Sequence, residues 1–451
     1  MPLTKHIRRY SPLSIEDKEN DDSRTLPSSR YHLILPLRCA ALFFITCILA
    51  IVMLFAMHLF HSSLSNLIHD VLGAKSKTST VEAVCLNGNR TVEMKRVSID
   101  DLMSTSNAQF NRQATPISKS FGVKTTSNGF IWDNEDATTT KWRPQGVTTH
   151  HSSNSRYVLV SWYGRKDEGY ANRGGRISFV DVSEMPHCPS TSCSYPYVHV
   201  LLVDSNMCTL PDIHVGGIEQ FNDKLYVADS RSGMQRIIEF DITNNLFEVP
   251  SEMNDSMFGY RYLLRQSASF QSSIKPSFLS YDADSEKFLI GTYARCGPRV
   301  GIHVDSEKCL MQPKNQLVWL SPNDAILQEK TDVIEDQSLS CWHYFSEMQG
   351  AASLKFNNRT LIFISSSYGP IADSHLHVVN MSSTFIDECS QSQHMNDFDL
   401  SKVRIYNYPP GLEDLHKEHL EEQGLYIWMV TEFGTRMVIS TLLNDIILSA
   451  H

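Results

Sequence analysis

Two acidic phrases occupy matching places in the sequence and could supply the chemistry of a binding site. Glu219 follows Gly217-Ile218 and Glu413 follows Gly411-Leu412, so each carboxylate stands two residues after a glycine. If both phrases belong to equivalent strands, their carboxylates converge, and like charges held together need a cation or a proton between them. Oxygen ligands of this kind suit a hard cation such as Ca²⁺.

Polar side chains next to these positions complete the predicted site for a ligand or cation. Its members are Gln145, His214, Glu219, Gln349, Glu413 and Asp414. No residue is assigned as catalytic, and the identity of any bound metal stays open, with Ca²⁺ as the one cofactor considered. The alternative is structural: solvated or hydrogen-bonded carboxylates that line a wet channel.

A repeated phrase indicates which elements position these residues. A β-branched residue followed by a small one recurs at Val160-Ser161, Val227-Ala228, Ile290-Gly291, Ile364-Ser365 and Val430-Thr431. Such self-similarity is typical of a repeated β unit. Each repeat divides into four strands, and four-stranded sheets arranged around an axis are the blades of an all-β propeller.

The number of repeats predicts five blades, with six as the alternative. The segment Phe130-Ile131-Trp132 either belongs to a sixth blade or closes the ring by joining the last one. Counting back from each phrase locates the innermost strands. This count places the following residues in one equivalent position: Thr148, Glu219, Ser280, Ala352 and Glu413.

Several longer phrases occur in order along residues 140–440. They are KWRPQGV, VLVSWYG, RISFVDV, HVLLVD, HVGGIEQFNDKLYVADS, EMQGAASL and PPGLEDLH. In these phrases the chain resembles a family of secreted, propeller-like proteins of bacteria and fungi. The resemblance implies a propeller fold and export from the cell, and it implies no particular activity.

The N-terminal part differs in composition from the rest. Residues 1–32 are rich in charge and are predicted to form a disordered cytosolic tail. Residues 33–60 include the uncharged run Cys39–Phe60, which as a helix rising about 1.5 Å per residue can cross a bilayer core of about 30 Å. We predict a transmembrane signal anchor here, a stalk over residues 61–110 and the propeller ectodomain over residues 111–451.

Three features place the propeller outside the cytosol. Basic residues flank the span more closely on its N-terminal side, which keeps the N-terminus inside. N-glycosylation acceptors occur only after the span, at Asn89, Asn254, Asn358 and Asn380. Eight of the ten cysteines also follow it, an even number that suits disulfides in an oxidising compartment. We therefore predict a single-pass type II membrane protein with an extracellular or luminal ectodomain.

Two functions fit these observations. The leading hypothesis is a binding module for an extracellular protein or glycan, favoured by aromatic loops predicted at Trp162–Gly175 and Trp342–Phe345. The alternative is a cation-dependent hydrolase or lactonase at the channel mouth, with its base among Glu219, Glu413 and His214. A nucleic-acid partner is disfavoured because the formal net charge is −10.

Other charged residues are expected to be structural. The phrase His416-Lys417-Glu418-His419 matches neither HExxH nor HxxEH, so it lacks the spacing of those zinc proteases, and we expect it in a hairpin insertion. Asp229 and Glu432 follow the small residue of their repeats, and Arg231 and Arg436 are their expected ion-pair partners.

Overall fold

The computed structural model describes most of the region predicted to be the propeller. The described residues are 53, 78–83, 90–104, 112–119, 127–152, 155–185, 193–231, 234–272, 274–294, 316–320, 345, 347–382, 403–420, 424–443 and 446. The chain divides into residues 1–75 and 76–451, and every strand that the structure describes belongs to the second unit. The predicted tail and nearly all of the predicted span lie outside the described residues. Within the described part of the chain, no helix has the length and apolar character needed to span a membrane.

Most of the described strands belong to five antiparallel blades. Blade 1 contains β5 (Trp142–His151), β6 (Arg156–Gly164), β7 (Gly175–Asp181) and β8 (Tyr195–Val203). Blade 2 contains β9 (Val215–Phe221), β10 (Lys224–Asp229), β11 (Arg236–Asp241) and β13 (Tyr262–Gln271), and β12 (Leu246–Glu248) pairs with the first part of β13. The described strands of blade 3 are β14 (Phe278–Asp282), β15 (Lys287–Gly291) and β16 (Leu317–Leu320).

The last two blades complete the ring. Blade 4 contains β17 (Met348–Phe356), β18 (Arg359–Ser366), β19 (Ser374–Asn380) and β20 (Val403–Tyr408). Blade 5 contains β21 (Leu412–Leu420), β22 (Gly424–Thr431), β23 (Met437–Leu442) and, as its fourth strand, β4 (Ser127–Ile131).

Ring closure confirms the five-bladed prediction. The innermost strands β5, β9, β14, β17 and β21 contact one another in a closed cycle, with β21 against β5. In blade 5, Ile131 of β4 lies opposite Met437 of β23. The segment Phe130-Ile131-Trp132 therefore closes the ring and does not form a sixth blade.

The small residue of each repeated phrase lies where one blade meets the next. Ser161 accepts a hydrogen bond from the backbone N–H of Gly146, 2.8 Å away, and donates to the carbonyl of Val215 in blade 2, 3.0 Å away. In the same way Ser365 of blade 4 donates to the carbonyl of Glu413 in blade 5. A larger side chain would separate these strands, so the prediction that small residues allow close packing near the axis is confirmed.

Apolar side chains fill the spaces between blades. Between blades 5 and 1, Trp132, Trp162 and Trp428 are almost fully buried in one cluster with residues of both sheets. Full burial of a large apolar side chain contributes about 1.5–3 kcal/mol. The aromatic loop predicted at Trp162–Gly175 is wrong at its beginning, because Trp162 lies on β6 and donates its indole N–H to Ser178.

Part of the predicted stalk belongs to the propeller. β1 (Thr78–Ala83) pairs with β2 (Arg90–Arg96), and β2 pairs with β12 at the edge of blade 2. Met94 on β2 is fully buried there. The short helix α1 (Ile99–Leu102) follows, and Ser98 and Asp101 form its capping box. The ordered domain therefore begins well before residue 111.

A buried carboxylate joins the ring-closing segment to blade 1. Asp136 lies on helix α2 (Asn134–Thr138), and β3 (Arg112–Lys119) pairs with both β4 and β8. Asp136 accepts hydrogen bonds from Arg112, Arg176, Tyr197 and His199. Burial alone would raise the pKa of Asp136, but His199, Arg176 and Arg112 hold it well below its usual range.

The residues on which the prediction of export rests are partly described. The side chains of Asn254 and Asn358 are exposed, whereas Asn380, at the end of β19, is half-buried; the fourth acceptor asparagine lies outside the described residues. Cys193 and Cys208 are disulfide-bonded, and the pairing of the eight cysteines stays a prediction. Glycosylation and type II topology also stay predictions.

Candidate functional site

A pocket of about 810 Å³ opens at the end of the propeller where the innermost strands begin. Every blade contributes side chains to its wall, and they are mainly amides, hydroxyls, aromatic rings and charged groups. Representatives of blades 1 to 5 are Gln145, His214, Tyr293, Gln349 and Glu432. We call this cavity the mouth pocket.

The structure separates the six predicted site residues into two sets. Gln145, His214 and Gln349 line the mouth pocket, as expected for residues at the start of the innermost strands. Glu413 lies within hydrogen-bonding reach of Gln145 and is almost fully buried. Glu219 and Asp414 take part in a separate set of contacts further along the axis.

Asp414 fills the centre of the ring. Its Oδ2 atom accepts hydrogen bonds from the backbone N–H groups of Val147, at 3.2 Å, and Ile218, at 3.0 Å. Its Oδ1 atom has no hydrogen-bond partner among the described residues. Burial raises the pKa of Asp414 well above its usual range, backbone N–H groups oppose that rise, and Glu219 adds to it.

Glu219 bonds to His416 across the same axis. The Glu219 Oε2 atom is 3.1 Å from His416 Nδ1, and the other ring nitrogen of His416 lies 2.9 Å from the Thr149 hydroxyl. Thr148 is also in contact with His416. We call Thr148, Glu219, Asp414 and His416 the axial network. All four are buried, so this part of the axis is packed with polar side chains.

One sequence prediction about this region needs correction. The phrase His416-Lys417-Glu418-His419 lies on β21, the innermost strand of blade 5, and not in a hairpin insertion. Among the residues that the structure describes, no group of three or more His, Cys, Asp or Glu side chains is arranged to hold a metal ion. Glu219 contacts His416, whereas Glu413 contacts Glu432. The binding of Ca²⁺ stays a prediction.

The predicted equivalence of Glu219 and Glu413 is wrong because the register of blade 5 differs. In each of blades 1 to 4, the aligned residue of the innermost strand pairs with the residue that comes just before the repeated phrase on the second strand. These aligned residues are Thr148, Glu219, Ser280 and Ala352. The corresponding residue of blade 5, Met429, lies opposite Leu415. A bulge between Leu412 and Leu415 shifts Glu413 toward the mouth. Nothing in the spacing of Gly411-Leu412-Glu413 reveals this bulge.

Glu413 meets Glu432, a pocket residue that sequence reasoning assigned only a structural role. The two carboxyl groups are in hydrogen-bonding contact, and we call them the carboxyl pair. The hydroxyl of Tyr163 donates a hydrogen bond to Glu432 Oε1, at 3.1 Å, and Arg143 Nε lies 3.8 Å from that oxygen. The expected partner, Arg436, instead donates from Nε to the backbone carbonyl of Glu432. The sequence feature that could have pointed to Glu432 as a pocket residue is its position directly after the small residue at the end of β22.

The equivalent residue of blade 2 behaves as predicted. Asp229 is fully buried and pairs with Arg231, with Nη2 2.7 Å from Oδ2. Arg236 adds a second contact at 2.9 Å, which was not predicted. Asp229 is therefore neutralised by two guanidinium groups. Among the described residues, the Glu432 carboxylate has one guanidinium within 4 Å, that of Arg143, and its other close neighbour is the carboxyl group of Glu413.

His214 is held as a neutral ring at the pocket wall. It stacks on Tyr163 with a centroid separation of 4.4 Å. Burial, together with the charge of Lys275, lowers the pKa of His214 to about 4, although Asp229 acts in the opposite direction. Its Nδ1 atom lies 3.4 Å from the hydroxyl of Ser230. At neutral pH this side of the pocket therefore presents hydrogen-bonding groups and an aromatic face.

Comparison with known proteins adds no family to this description. No protein-family model matches the chain, and a search among curated proteins finds no relative. The predicted kinship with secreted bacterial and fungal propeller proteins therefore stays a prediction.

Solved structures give distant matches. A GH43_1 enzyme from Xanthomonas citri complexed with xylotriose is 11% identical, with 67% of this chain and 88% of that chain covered and a TM-score of 0.35. CoXyl43, a GH43 β-xylosidase/α-arabinofuranosidase from a compost microbial metagenome, is 11% identical, with 72% and 94% covered and a TM-score of 0.32. Trypanosoma rangeli sialidase is 10% identical, with 83% and 59% covered and a TM-score of 0.31. Likeness at this level assigns no function to the chain.

Proposed function

We propose that the mouth pocket is the ligand-binding site of the protein and that its ligand is a glycan. The observation that carries the proposal is the cavity itself, which has a volume of about 810 Å³ and side chains from all five blades in its wall. Small-molecule sites commonly have volumes of about 300–1,000 Å³. A cavity of this shape suits an oligosaccharide end better than the broad surface of a protein partner.

The polar groups of the pocket match a ligand with many hydroxyls. The amides of Gln145 and Gln349 each offer donors and an acceptor, and the hydroxyls of Ser277 and Ser367 can do both. A sugar hydroxyl likewise both donates and accepts. Since these groups come from blades 1, 3 and 4, they lie on different sides of the cavity and can contact several hydroxyls of one ligand at once.

Aromatic rings supply the apolar part of such a site. Tyr163, Tyr293 and Phe433 line the cavity. Two of these rings are fixed by neighbours, because Tyr163 stacks on His214 and the guanidinium of Arg143 lies 5.0 Å from the Phe433 ring centroid. Rigid rings beside polar groups favour a ligand with one apolar face and a polar rim, as pyranose rings have.

Titration of the purified full-length protein with saccharides tests this proposal. The probes are xylose, arabinose, glucose, galactose, mannose and N-acetylglucosamine with their short oligosaccharides, and calorimetry reports binding. We expect at least one series to bind, and we expect Gln349→Ala to weaken that binding about 10-fold, the equivalent of one lost hydrogen bond of about 1.4 kcal/mol.

Gln113→Ala is the matched control, because Gln113 is exposed on β3 and does not line the cavity. Its saccharide affinity should equal that of the wild type. Absence of binding across the panel, or equal affinities for Gln349→Ala and the wild type, would refute the proposal.

A further inference from the structure

The charged side chains of the mouth pocket are unevenly distributed around its wall. Arg231, which follows β10, and Lys275, which precedes β14, lie on the side of blades 2 and 3. Glu347, which precedes β17, and Glu432, which follows β22, lie on the side of blades 4 and 5. One side of the cavity therefore carries cations and the other side carries carboxylates.

Of the described cations that line the cavity, Lys275 is the one without a protein partner. Its side chain is exposed, and among the described residues it forms no ion pair and no hydrogen bond. Lys166, by contrast, lies 3.9 Å from Asp212, and Arg231 is bound to Asp229. An ammonium group that no carboxylate of the protein occupies can form a charge-assisted hydrogen bond with an anionic group of a ligand.

The guanidinium groups of blade 2 add to the positive charge on this side. Asp229 is fully buried and contacts Arg231 at 2.7 Å and Arg236 at 2.9 Å, so two positive charges meet one negative charge. Salt screens such partly buried groups less than it screens exposed ones. The wall of blade 2 thus has a net positive charge on the same side of the cavity as Lys275.

His214 and two serines complete this side with uncharged polar groups. Burial lowers the pKa of His214 to about 4, and the charge of Lys275 contributes to the shift, so these two groups are near each other. At neutral pH His214 is therefore uncharged. The hydroxyls of Ser230 and Ser277 also line the cavity and can donate hydrogen bonds. An anionic group next to Lys275 would find neutral donors as well as a cation.

The side of blade 5 favours a different ligand group. Glu413 holds the shared proton of the carboxyl pair, so Glu432 is the acceptor in that contact, and it lies beside Arg143. Tyr163 donates a hydrogen bond to the same carboxylate. Because an ionised carboxylate has only acceptor atoms, Glu432 favours ligand hydroxyls over a second anion. This leaves the side of Lys275 as the place for an anionic group.

We infer that the glycan bound in the mouth pocket is an acidic sugar, whose anionic group pairs with Lys275 while its hydroxyls face Glu432. This inference rests on the proposed glycan ligand and names the chemical class of that ligand. The anionic group is a carboxylate, as in uronic acids, or a sulfate, since both offer the acceptor oxygens and the negative charge that Lys275 needs. A neutral sugar fits the same cavity but leaves the Lys275 ammonium without a partner, so it binds more weakly.

The test compares acidic sugars with neutral sugars of the same shape. Calorimetry on the purified full-length protein at low salt compares glucuronic and galacturonic acid with glucose and galactose, and sulfated N-acetylglucosamine with N-acetylglucosamine. We expect at least one acidic sugar to bind about 10-fold more tightly than its neutral counterpart, as one charge-assisted hydrogen bond would give. The methyl ester of a preferred uronic acid keeps its shape without its charge and should bind like the neutral sugar.

Variants of the two pocket lysines identify the recognising group. Lys275→Gln removes the charge at an exposed position and should abolish the preference for the acidic sugar without changing the affinity for the neutral one, whereas Lys275→Arg should keep the preference. Lys166→Gln is the matched control, because Lys166 lines the same cavity but is paired with Asp212 and its side chain is 87% exposed. It should keep the preference. Added salt should weaken the binding of the acidic sugar alone.

The possible results distinguish a failure of this inference from a failure of the proposed function. Equal affinities for acidic and neutral sugars would overturn the inference and leave the glycan site standing. Equal losses in Lys275→Gln and Lys166→Gln would overturn the role of Lys275. Absence of binding by every saccharide, acidic or neutral, would remove the proposed function itself. So would binding of acetate or sulfate ions as tight as that of the acidic sugar, because the pocket would then recognise an anion and not a sugar.

Discussion

Asp414 of blade 5 accepts a hydrogen bond from the backbone N–H of Ile218 in blade 2, at 3.0 Å. These two blades are not neighbours in the ring, so the contact crosses the axis. The same carboxylate oxygen also bonds to Val147 of blade 1. One side chain thus connects three blades at the point where their innermost strands come closest.

This contact predicts that Asp414 is a stabilising residue. Asp414→Ala would leave two buried N–H groups without partners, and each costs about 1–3 kcal/mol. Asp414→Asn keeps an acceptor oxygen and should cost less. Urea unfolding of the purified protein measures both values, and equal stability of Asp414→Ala and the wild type would contradict the role.

Steric crowding explains why residue 217, near the start of β9, is a glycine. A Cβ atom at Gly217 would lie 2.6 Å from Phe278 Cα, 2.7 Å from Leu279 N and 2.8 Å from Asp414 Oδ1. Because the first two atoms are backbone of blade 3, they cannot rotate away, and Gly217→Ala should destabilise the protein by about 1–3 kcal/mol or more. Gly259→Ala is the control without steric overlap, since a Cβ there meets no atom within 4 Å. Its only expected loss of stability comes from the positive φ of residue 259. Thermal unfolding should rank Gly217→Ala as clearly the less stable.

The carboxyl pair predicts a loss of stability with rising pH. The pKa of Glu413 is raised in the folded protein, so the folded state binds more protons than the unfolded state once the pH exceeds about 4.5, the ordinary value. Its stabilising contribution is complete below that pH and falls as pH rises, by up to about 1.4 kcal/mol per pH unit for one proton. Glu413→Gln cannot titrate and should flatten the fall between pH 5 and pH 8 in urea unfolding. An unchanged slope would mean that the pair does not hold its proton.

The contacts of Glu418 predict that the stability of the fold falls as the pH becomes acidic. It accepts hydrogen bonds from Arg156, His151 and Trp428, and so joins blades 1 and 5. Burial alone would raise the pKa of Glu418, but the bonds from His151 and Arg156 lower it to about 2. The resulting stability is present above about 4.5 and is lost as pH falls toward 2. Glu418→Gln should lack this acid-induced loss and be less stable at pH 7. Parallel pH profiles for the variant and the wild type would contradict the assignment.

The fold was accessible to sequence reasoning because its determinants are local and repeated. Ser161 and Ser365 stand at equal places in their phrases, and the same spacing sets both at the boundary between blades. Closure by Phe130-Ile131-Trp132 could only be given as one of two options, since strand pairing over such a distance leaves no local pattern.

The site was accessible only in part. Gln145, His214 and Gln349 were found because they lie at or just before the start of the innermost strands, and position in a strand follows from periodicity. Glu432 was assigned to an ion pair, because a sequence does not show whether a nearby arginine reaches the carboxylate or the backbone. The placement of Glu413 depended on a bulge, which shifts a register without changing composition.

The pairing of β4 with β23 has a consequence for how the chain acquires its structure. Ile131 and Met437, which lie opposite each other, are 437 − 131 = 306 positions apart. During synthesis β4 emerges long before its partner, and an unpaired strand edge attracts other chains. Contacts between such distant positions also slow folding. The ring can close only when the last blade has been translated. Until then the edge of β4 that pairs with β23 is unpaired, and the growing chain avoids aggregation only if another molecule or segment covers this edge.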